Sequence, residues 1–354
     1  MLVSLHKLYL RGEIPVELLQ FYRKSLVVVL VLVVGLAFAA CAQIEEMLPF
    51  DLSPSQSDQE PELVYVPMPE IPLAPGPVYH GEPREPQVML PELGYEYLVE
   101  GYVTVNIGNV SRGYFKVRNE SDAEALVKIM SYAHGEPDFF NLAGNNDWEV
   151  FPLTRGDGVY TIQVLEYYGD RVFKVVFSHD VYVNLENQNL PFLYPSRYVN
   201  FSVYSEAVAV ASRLAGRAGS DLEIVQLVYD YITTNIDFDL EFAMAVYSGF
   251  VLEHIPNADA TLAAGTGICF DFAVLMAAML RSQNIPTRLE IGYVLGIFHA
   301  WVAVYVPGAN WGYAAHPTAI GWGLLDPTTT SANNVSGFLN PVVDVNEYSI
   351  LFVR

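Results

Sequence analysis

Residues 265–273 read Gly-Thr-Gly-Ile-Cys-Phe-Asp-Phe-Ala, and the chain continues to Arg281 with Val-Leu-Met-Ala-Ala-Met-Leu. The glycines and Thr266 indicate a turn, and the residues that follow are strong helix formers. Cys269 is therefore expected at or near the N-terminus of a helix. The positive end of a helix dipole stabilises a thiolate, which is the form of cysteine that acts as a nucleophile.

Two segments downstream carry candidate partners for Cys269. Residues 299–306 read His-Ala-Trp-Val-Ala-Val-Tyr-Val, and their alternation predicts a strand that begins at His299. Residues 322–328 read Trp-Gly-Leu-Leu-Asp-Pro-Thr and predict a strand that ends at Asp326. A carboxylate in that place can bind the far nitrogen of His299, fix its tautomer and stabilise the imidazolium.

A cysteine at a helix start, a His-Ala-Trp strand and an Asp-Pro-Thr strand end together resemble the transglutaminase-like superfamily, whose fold resembles the papain-like cysteine proteases. The resemblance covers about residues 205–332. It places Cys269, His299 and Asp326 on the family's nucleophile, base and acid. Further matches to the family's framework are Gly267, Arg281, Ile285-Pro286, Gly292-Tyr293, Trp301 and Pro327-Thr328. The resemblance implies an α+β catalytic domain over residues 201–354.

Other residues of this region are expected to line or support a substrate cleft. Strand alternation places Trp301 and Tyr305 on the same face as His299, and Gly267 precedes the nucleophile. Residues 308–321 are predicted to be an inserted loop beside the cleft. The backbone N–H of Cys269 is the expected first donor to an oxyanion, and the sequence identifies no second donor.

The resemblance implies acyl transfer on protein or peptide amides through a thioester. No cofactor is expected, because nothing in the sequence indicates a metal or an organic cofactor and its Asp residues do not have the spacing of a calcium loop. An amine acceptor would make the enzyme a transglutaminase, and water would make it a peptidase or amidase. The same three residues serve both reactions. The alternative function is a non-catalytic binding or assembly module that keeps the fold.

Alternative roles exist for single residues of the motif. A cysteine such as Cys269 is often an inert, small apolar residue of the core. His254 or His316 as the base is disfavoured because each lies in a predicted loop without the His-Ala-Trp strand. Asp271 is expected to accept hydrogen bonds from the helix N-terminus, since it is too near Cys269 in sequence to orient the base.

The N-terminal segment, residues 1–41, has the layout of a secretory signal. Arg23 and Lys24 precede an apolar run over residues 26–40, which is shorter than the roughly 20 residues that span a bilayer. Residues 38–41 read Phe-Ala-Ala-Cys and resemble a bacterial lipobox, which implies lipidation of Cys41 and an extracytoplasmic, membrane-anchored protein. The alternatives are an ordinary cleaved signal or an uncleaved anchor in which Cys41 is incidental.

Residues 42–94 are rich in proline and acidic residues, and Arg84 is their single Lys or Arg. Proline favours extended backbone and like charges repel, so the segment is predicted to be a semi-rigid spacer. A ligand for a proline-binding module is the alternative. The spacer would hold the folded part away from a membrane.

Residues 95–200 are predicted to form an all-β, sandwich-like domain. Side chains alternate with a period of two over residues 102–107, 114–117, 159–164 and 172–177, with turn signals between them. A helix is predicted over residues 205–218. A second begins at the Ser-Asp-Leu-Glu capping pattern of residues 220–223. The chain is therefore predicted to be multidomain.

The composition agrees with a folded, exported protein. The 354 residues are 52% hydrophobic and carry a formal net charge of −22. An acidic surface repels phosphate, which disfavours nucleic acid as a partner. Two cysteines are too few for a disulfide framework, and the expected partner is a protein or peptide substrate at the cell surface. The sequence leaves the oligomeric state open.

Overall fold

The computed structural model describes residues 84–121, 123–131, 137–143, 146–169, 172–251, 253–309, 316–319, 321–331 and 345–354. The predicted signal segment, Cys41 and most of the predicted spacer lie outside these residues. Among the helices that are described, none is both long enough and apolar enough to cross a lipid bilayer.

The end of the predicted spacer lies against the helical part of the chain. Residues 84–94 form neither helix nor strand. The backbone N–H of Arg84 donates to the carbonyl of Ser212 at 3.0 Å, and that of Gln87 donates to the carbonyl of Ser282 at 2.8 Å. Val88 packs on the apolar core. This part of the segment is therefore attached to the folded domain.

In the described residues between 97 and 183, strands form two four-stranded sheets in which all neighbours are antiparallel. The strands are β1 (Tyr97–Glu100), β2 (Val103–Asn106), β3 (Tyr114–Asn119), β4 (Ala125–Ser131), β5 (Asp138–Leu142), β6 (Glu149–Pro152), β7 (Gly158–Tyr167) and β8 (Phe173–Val183). One sheet has the order β1-β2-β3-β6 and the other β5-β4-β7-β8. The four alternating segments noted in the sequence overlap β2, β3, β7 and β8.

The two sheets share one apolar cluster. Alternate residues of β4 are buried, as expected for a strand with one face on a core. Phe115 of β3 stacks on Phe151 of β6 with ring centroids 5.6 Å apart. Phe140 of β5 meets the ring of Phe151 edge-on at 5.4 Å. Aromatic rings from both sheets therefore meet in the space between them.

Helices follow the two sheets. They are α1 (Glu206–Ala215), α2 (Asp221–Asn235), α3 (Leu240–Tyr247), α4 (Ala258–Ala264) and α5 (Cys269–Arg281). The two-residue strands β9 (Asp237–Phe238) and β10 (Thr266–Gly267) pair in parallel. The predicted capping pattern at α2 is present with one change. Ser220 accepts from the N–H of Glu223, but the Glu223 carboxylate accepts from the N–H of Gly219, not of Ser220.

A five-stranded antiparallel sheet has the order β13-β14-β12-β11-β15. Its strands are β11 (Thr287–Val294), β12 (Ile297–Tyr305), β13 (His316–Ala319), β14 (Trp322–Leu325) and β15 (Tyr348–Val353), and α6 (Pro327–Thr330) follows β14. The predicted inserted loop, residues 308–321, therefore contains an edge strand, β13. The prediction that His316 lies in a loop is wrong, because it begins this strand.

Helix α5 lies at the centre of this α+β part, where it packs on β11 and β12. Every residue from Asp271 to Arg281 is buried. The guanidinium of Arg281 donates to the carbonyls of Thr287, Tyr194 and Arg354 at 2.9, 3.0 and 2.9 Å. Burial lowers the pKa of Arg281 to about 9. These three bonds fix the C-terminal end of α5 against the chain around it.

Candidate active site

Cys269 is the first residue of α5 and is partly exposed, with a free thiol. Ile268 before it is extended, and its N–H donates to Oδ2 of Asp271 at 2.9 Å. Gly267 makes this turn possible, because a Cβ there would lie 2.7 Å from Cβ of Asp271. The backbone thus presents Cys269 at the positive end of a long, buried helix, where a thiolate is stabilised.

His299 lies on β12 and is 2% exposed. Its Nε2 lies 2.8 Å from Oδ2 of Asp326. The side chain of Cys269 lines the same cleft as the imidazole and interacts with it. Because Nε2 faces Asp326, Nδ1 is the nitrogen left to exchange a proton with the sulfur.

The protonation of His299 is decided by opposing effects. Burial lowers the pKa of His299 because it disfavours the charged ring. The negative charges of Asp326 and then Cys269, together with their hydrogen bonds, outweigh burial and raise the pKa of His299 well above its ordinary value. The arrangement therefore favours an imidazolium beside the sulfur.

The carboxylate of Asp326 is held from several sides. Its Oδ1 accepts from the N–H groups of Thr328 and Thr329 at 3.1 and 3.4 Å, which makes Asp326 the N-cap of α6. Its Oδ2 accepts from the hydroxyl of Tyr348 at 3.0 Å as well as from His299. Tyr229 donates its hydroxyl to the backbone carbonyl of Asp326 at 3.2 Å. These bonds fix the carboxylate that orients His299.

Tyr348 and Tyr229 were not identified from the sequence as residues of the site. Tyr348 lies on β15 and Tyr229 lies within α2, and no sequence motif marks either residue. Burial and then the nearby charge of Asp326 raise the pKa of Tyr348. The hydroxyl of Tyr348 therefore remains a donor to the carboxylate throughout the neutral pH range.

Trp301 supports the histidine from behind. It is fully buried, and its ring stacks near that of His299, with centroids 6.2 Å apart and an interplanar angle of 21°. Its Nε1 donates to Oε2 of Glu290 at 2.8 Å, and burial raises the pKa of that carboxyl. Tyr305 lies against Trp322, with ring centroids 5.3 Å apart. The described residues that line the cleft at Cys269 do not include Trp301, Tyr305 or Gly267.

This cleft has a volume of about 610 Å³ and includes both Cys269 and His299 in its lining. Most of the other lining side chains are apolar. Six of them are Leu240, Met244, Tyr247, Phe270, Ile291 and Phe298.

A second histidine–carboxylate pair also faces the cleft. Nε2 of His254 lies 2.8 Å from Oδ1 of Asp271, and His254 meets the ring of Phe242 edge-on at 4.9 Å. His254 lines the cleft but contacts Asp271 in place of Asp326. Asp271 therefore bonds both the helix N-terminus, as predicted, and a histidine that the sequence did not connect with it.

Among the described residues, no group of three or more His, Cys, Asp or Glu side chains is close enough to hold a metal ion.

Residues 208–315 match the family model described as the transglutaminase-like superfamily. The match includes Cys269 and His299 and ends before Asp326. The chain contains a transglutaminase-like domain. This match supports a cysteine-dependent kind of enzyme.

Solved structures that are similar to the chain include a candidate protease, a periplasmic domain and a transglutaminase. A candidate cysteine protease from Cytophaga hutchinsonii is 17% identical with a TM-score of 0.35, and the alignment covers 74% of each chain. The periplasmic domain of TgpA from Pseudomonas aeruginosa is 14% identical, with a TM-score of 0.30 and coverage of 68% of this chain and 76% of that one. Red sea bream transglutaminase is 13% identical, with a TM-score of 0.25 and coverage of 63% and 49%. No curated protein matches the chain.

Proposed function

We propose that the protein transfers acyl groups from protein or peptide amides through a thioester on Cys269. The observation that carries the proposal is the buried imidazole of His299, which lies 2.8 Å from the carboxylate of Asp326 and interacts with the side chain of Cys269 in the same cleft. A nucleophile, a base and a group that orients the base are thereby in contact.

The reaction begins with the thiolate of Cys269 and the imidazolium of His299. The sulfur attacks the amide carbonyl carbon, and the negative charge on the carbonyl oxygen is stabilised by the backbone N–H of Cys269 at the start of α5. The C–N bond then breaks while His299 gives its proton to the departing amine. The products of this half-reaction are a thioester on Cys269, a free amine and a neutral His299.

The second half-reaction consumes the thioester. His299 removes a proton from an incoming amine or water, which attacks the thioester carbonyl and releases the Cys269 thiolate. Asp326 keeps the ring in one orientation and balances its charge when it is protonated. An amine acceptor gives a new amide bond, as in a transglutaminase, and water gives a carboxylic acid, as in a peptidase or amidase.

We place this activity outside the cytoplasm, on a protein anchored through a lipid on Cys41. The support is the charged, apolar and small-residue order of the N-terminal segment, which ends at that cysteine. The two sheets over residues 97–183 would then be an all-β, sandwich-like domain beside the catalytic one.

The test compares the chain carrying Cys41→Ser, so that Cys269 is its single thiol, with the same chain carrying Cys269→Ala. Each is incubated with a protein mixture and a fluorescent primary amine, and separately with fluorogenic peptide amides. We expect amine incorporation or amide hydrolysis, an acyl adduct on Cys269 detectable by mass spectrometry, and a loss of at least about 10³-fold in Cys269→Ala.

A matched histidine pair controls for general damage. His299→Ala should lose activity like Cys269→Ala. His179 lies on β8 and its side chain is partly exposed, so His179→Ala should keep its activity. A chain that binds proteins equally well with and without the Cys269 thiol, and turns over none of them, would instead be a binding module that keeps the fold.

A further inference from the structure

The helix that forms one wall of the cleft has an unusual distribution of apolar side chains. Helix α3 has the sequence Leu-Glu-Phe-Ala-Met-Ala-Val-Tyr, and none of its residues is buried. Leu240, Met244 and Tyr247 are spaced so that they share one face of the helix. Their exposed fractions are 44%, 42% and 74%. The apolar side chains of α3 are therefore not buried in the protein core.

These side chains face the cleft together with exposed rings from two strands. Leu240, Met244 and Tyr247 all line it. So do Phe298 of β12, which is 54% exposed, and Phe139 of β5, which is 42% exposed. Apolar surface that is exposed on several sides of one cavity is typical of a ligand site.

The charged groups that line the cleft have hydrogen-bond or ionic partners within the described residues. Arg354 lies 2.7 Å from Asp138, and Glu253 accepts from the side-chain amide of Asn141 at 2.6 Å. The two lining histidines, His254 and His299, contact Asp271 and Asp326. An acidic or amide side chain entering the cleft would lose water without gaining a free cationic partner from these groups, which is unfavourable.

We propose that this cleft binds a large apolar side chain of the acyl donor, next to the amide that Cys269 attacks, and that α3 is the wall that selects it. The inference rests on the proposed function. A bound aromatic or long aliphatic side chain would lie between α3 and Phe298, and would hold the amide beside Cys269 and His299.

The dimensions of the cleft favour a side chain over a second copy of the chain. Its volume of about 610 Å³ lies within the range of small-ligand pockets, roughly 300–1,000 Å³. A second copy seated on α3 would also cover the sulfur that the reaction requires.

The experiment uses peptidyl vinyl sulfones, which alkylate a cysteine only after the peptide part has bound. Matched sets carry Phe, Leu, Ala, Gln, Glu or Lys at the residue that bears the electrophile, or at the residue before it. The second-order rate of Cys269 modification is measured on the chain carrying Cys41→Ser. Each rate is divided by the same protein's rate with iodoacetamide, which is too small to need the cleft.

We expect Phe and Leu probes to react about 10- to 100-fold faster than Ala, Gln or Glu probes at one of the two positions, from the burial of one large apolar side chain. Met244→Glu and Tyr247→Glu should each reduce the Phe-over-Ala ratio by about tenfold, because they place a carboxylate in the apolar wall. Tyr182→Glu, at an exposed tyrosine of β8, is the control and should leave the ratio unchanged.

The outcomes separate this inference from the proposed function. Suppose that the reaction of Cys269 with iodoacetamide depends on His299, but that Cys269 reacts fastest with Gln probes or equally fast with all probes. The apolar selection is then overturned and the enzyme proposal stands. If Cys269 reacts slowly with every reagent and His299→Ala changes nothing, the proposed function itself fails. A dimer in sedimentation that Met244→Glu dissociates, without any probe preference, would assign α3 to a contact between two copies and overturn the inference.

Discussion

Asp326 serves three groups with one carboxylate, because it binds His299, caps α6 and accepts from Tyr348. A side chain with so many partners has little freedom to rotate. The orientation of His299 is consequently set before a substrate binds, which is the preorganisation that acyl transfer requires.

Replacement of Asp326 by Asn should separate charge from shape. In Asp326→Asn, the amide oxygen can still cap α6, but the negative charge that raises the pKa of His299 is gone. The imidazolium should then be lost at a lower pH, so the alkaline limb of the pH–kcat profile moves to lower pH. We expect kcat to fall by about 10² to 10⁴-fold.

The outcome that would contradict this is an unchanged alkaline limb with full activity. The free energy of unfolding, measured in urea, is the control for an effect on the fold alone.

Tyr348→Phe should shift the same limb in the opposite direction. The change removes the hydroxyl that donates to Asp326 but keeps the ring against Trp301, whose centroid lies 5.0 Å away. A carboxylate with one donor fewer attracts the proton of His299 more strongly, so the pKa of His299 should rise. We expect a loss in kcat of about tenfold, the value of one hydrogen bond to a charged group. An unchanged limb would show that Tyr348 acts only as a packing residue.

The sequence could select Cys269, His299 and Asp326 as candidates because each is marked locally: Cys269 follows a glycine turn, His299 opens the His-Ala-Trp motif and Asp326 precedes a proline. The strand start predicted at His299 is two residues late, since β12 begins at Ile297. The sequence could not predict Tyr348 or the contact between His254 and Asp271. Those contacts depend on how distant segments pack, and nothing beside either residue marks them.

At the scale of elements, the backbone of β15 lies directly against Gly292 of β11. The pairing of these strands shifts register between Ile291 and Gly292. A Cβ at Gly292 would overlap the backbone carbonyl oxygen of Ser349. Glycine is therefore required there by the neighbouring strand and not by the φ angle of the residue itself.

Gly292→Ala should destabilise the protein by about 1–3 kcal/mol, because one of the two backbones must move to admit the methyl group. Urea unfolding measures the change. The matched control is Gly101→Asn, since Gly101 has a φ of +56° with nothing within 4 Å of the Cβ position, and Asn tolerates that conformation. Equal stabilities of the two variants would mean that β15 adjusts without cost. Because β15 carries Tyr348, activity should fall together with stability.

Strands of different length differ in how well the sequence predicts them. β7 and β8 contain 10 and 11 residues, so a period of two can be recognised in their sequence. β1 and β6 have four residues each, too few for a period of two to be distinguished from chance, whereas the alternation around the equally short β2 extends to Tyr102 and Ile107. The edge strand β13 was taken for part of a loop for the same reason.

In the molecule as a whole, one ionic cluster joins the β-rich part of the described chain to the α+β part. Arg354, which follows β15, lies 2.7 Å from Asp138 of β5, and Arg155 lies 3.2 Å from the same carboxylate. The guanidinium of Arg354 also stacks over the ring of Phe140 at 4.1 Å. Asp138 and Arg354 are 216 residues apart, so no pattern in the sequence could have paired them.

Asp138→Asn should therefore lower the free energy of unfolding far more than the loss of an exposed ion pair does. Arg354 is 3% exposed, so the variant leaves a buried guanidinium without its counter-charge, at a cost of about 3–5 kcal/mol in the free energy of unfolding. Arg213→Ala removes an ion pair with Glu206 whose side chains are 56% and 65% exposed, and should cost about 1 kcal/mol or less. Urea unfolding followed separately by tryptophan fluorescence and far-ultraviolet circular dichroism measures both variants.

The shape of the unfolding curve tests the role of this cluster. If Asp138 and Arg354 couple the two parts, the unmodified chain should unfold in one transition by both probes, and Asp138→Asn should unfold in two. Arg354 also lines the cleft, so a loosened β15 should lower the temperature at which turnover is lost. A single transition in Asp138→Asn, displaced by less than about 1 kcal/mol, would mean that the apolar contacts around Phe140 hold the parts together without the ion pair.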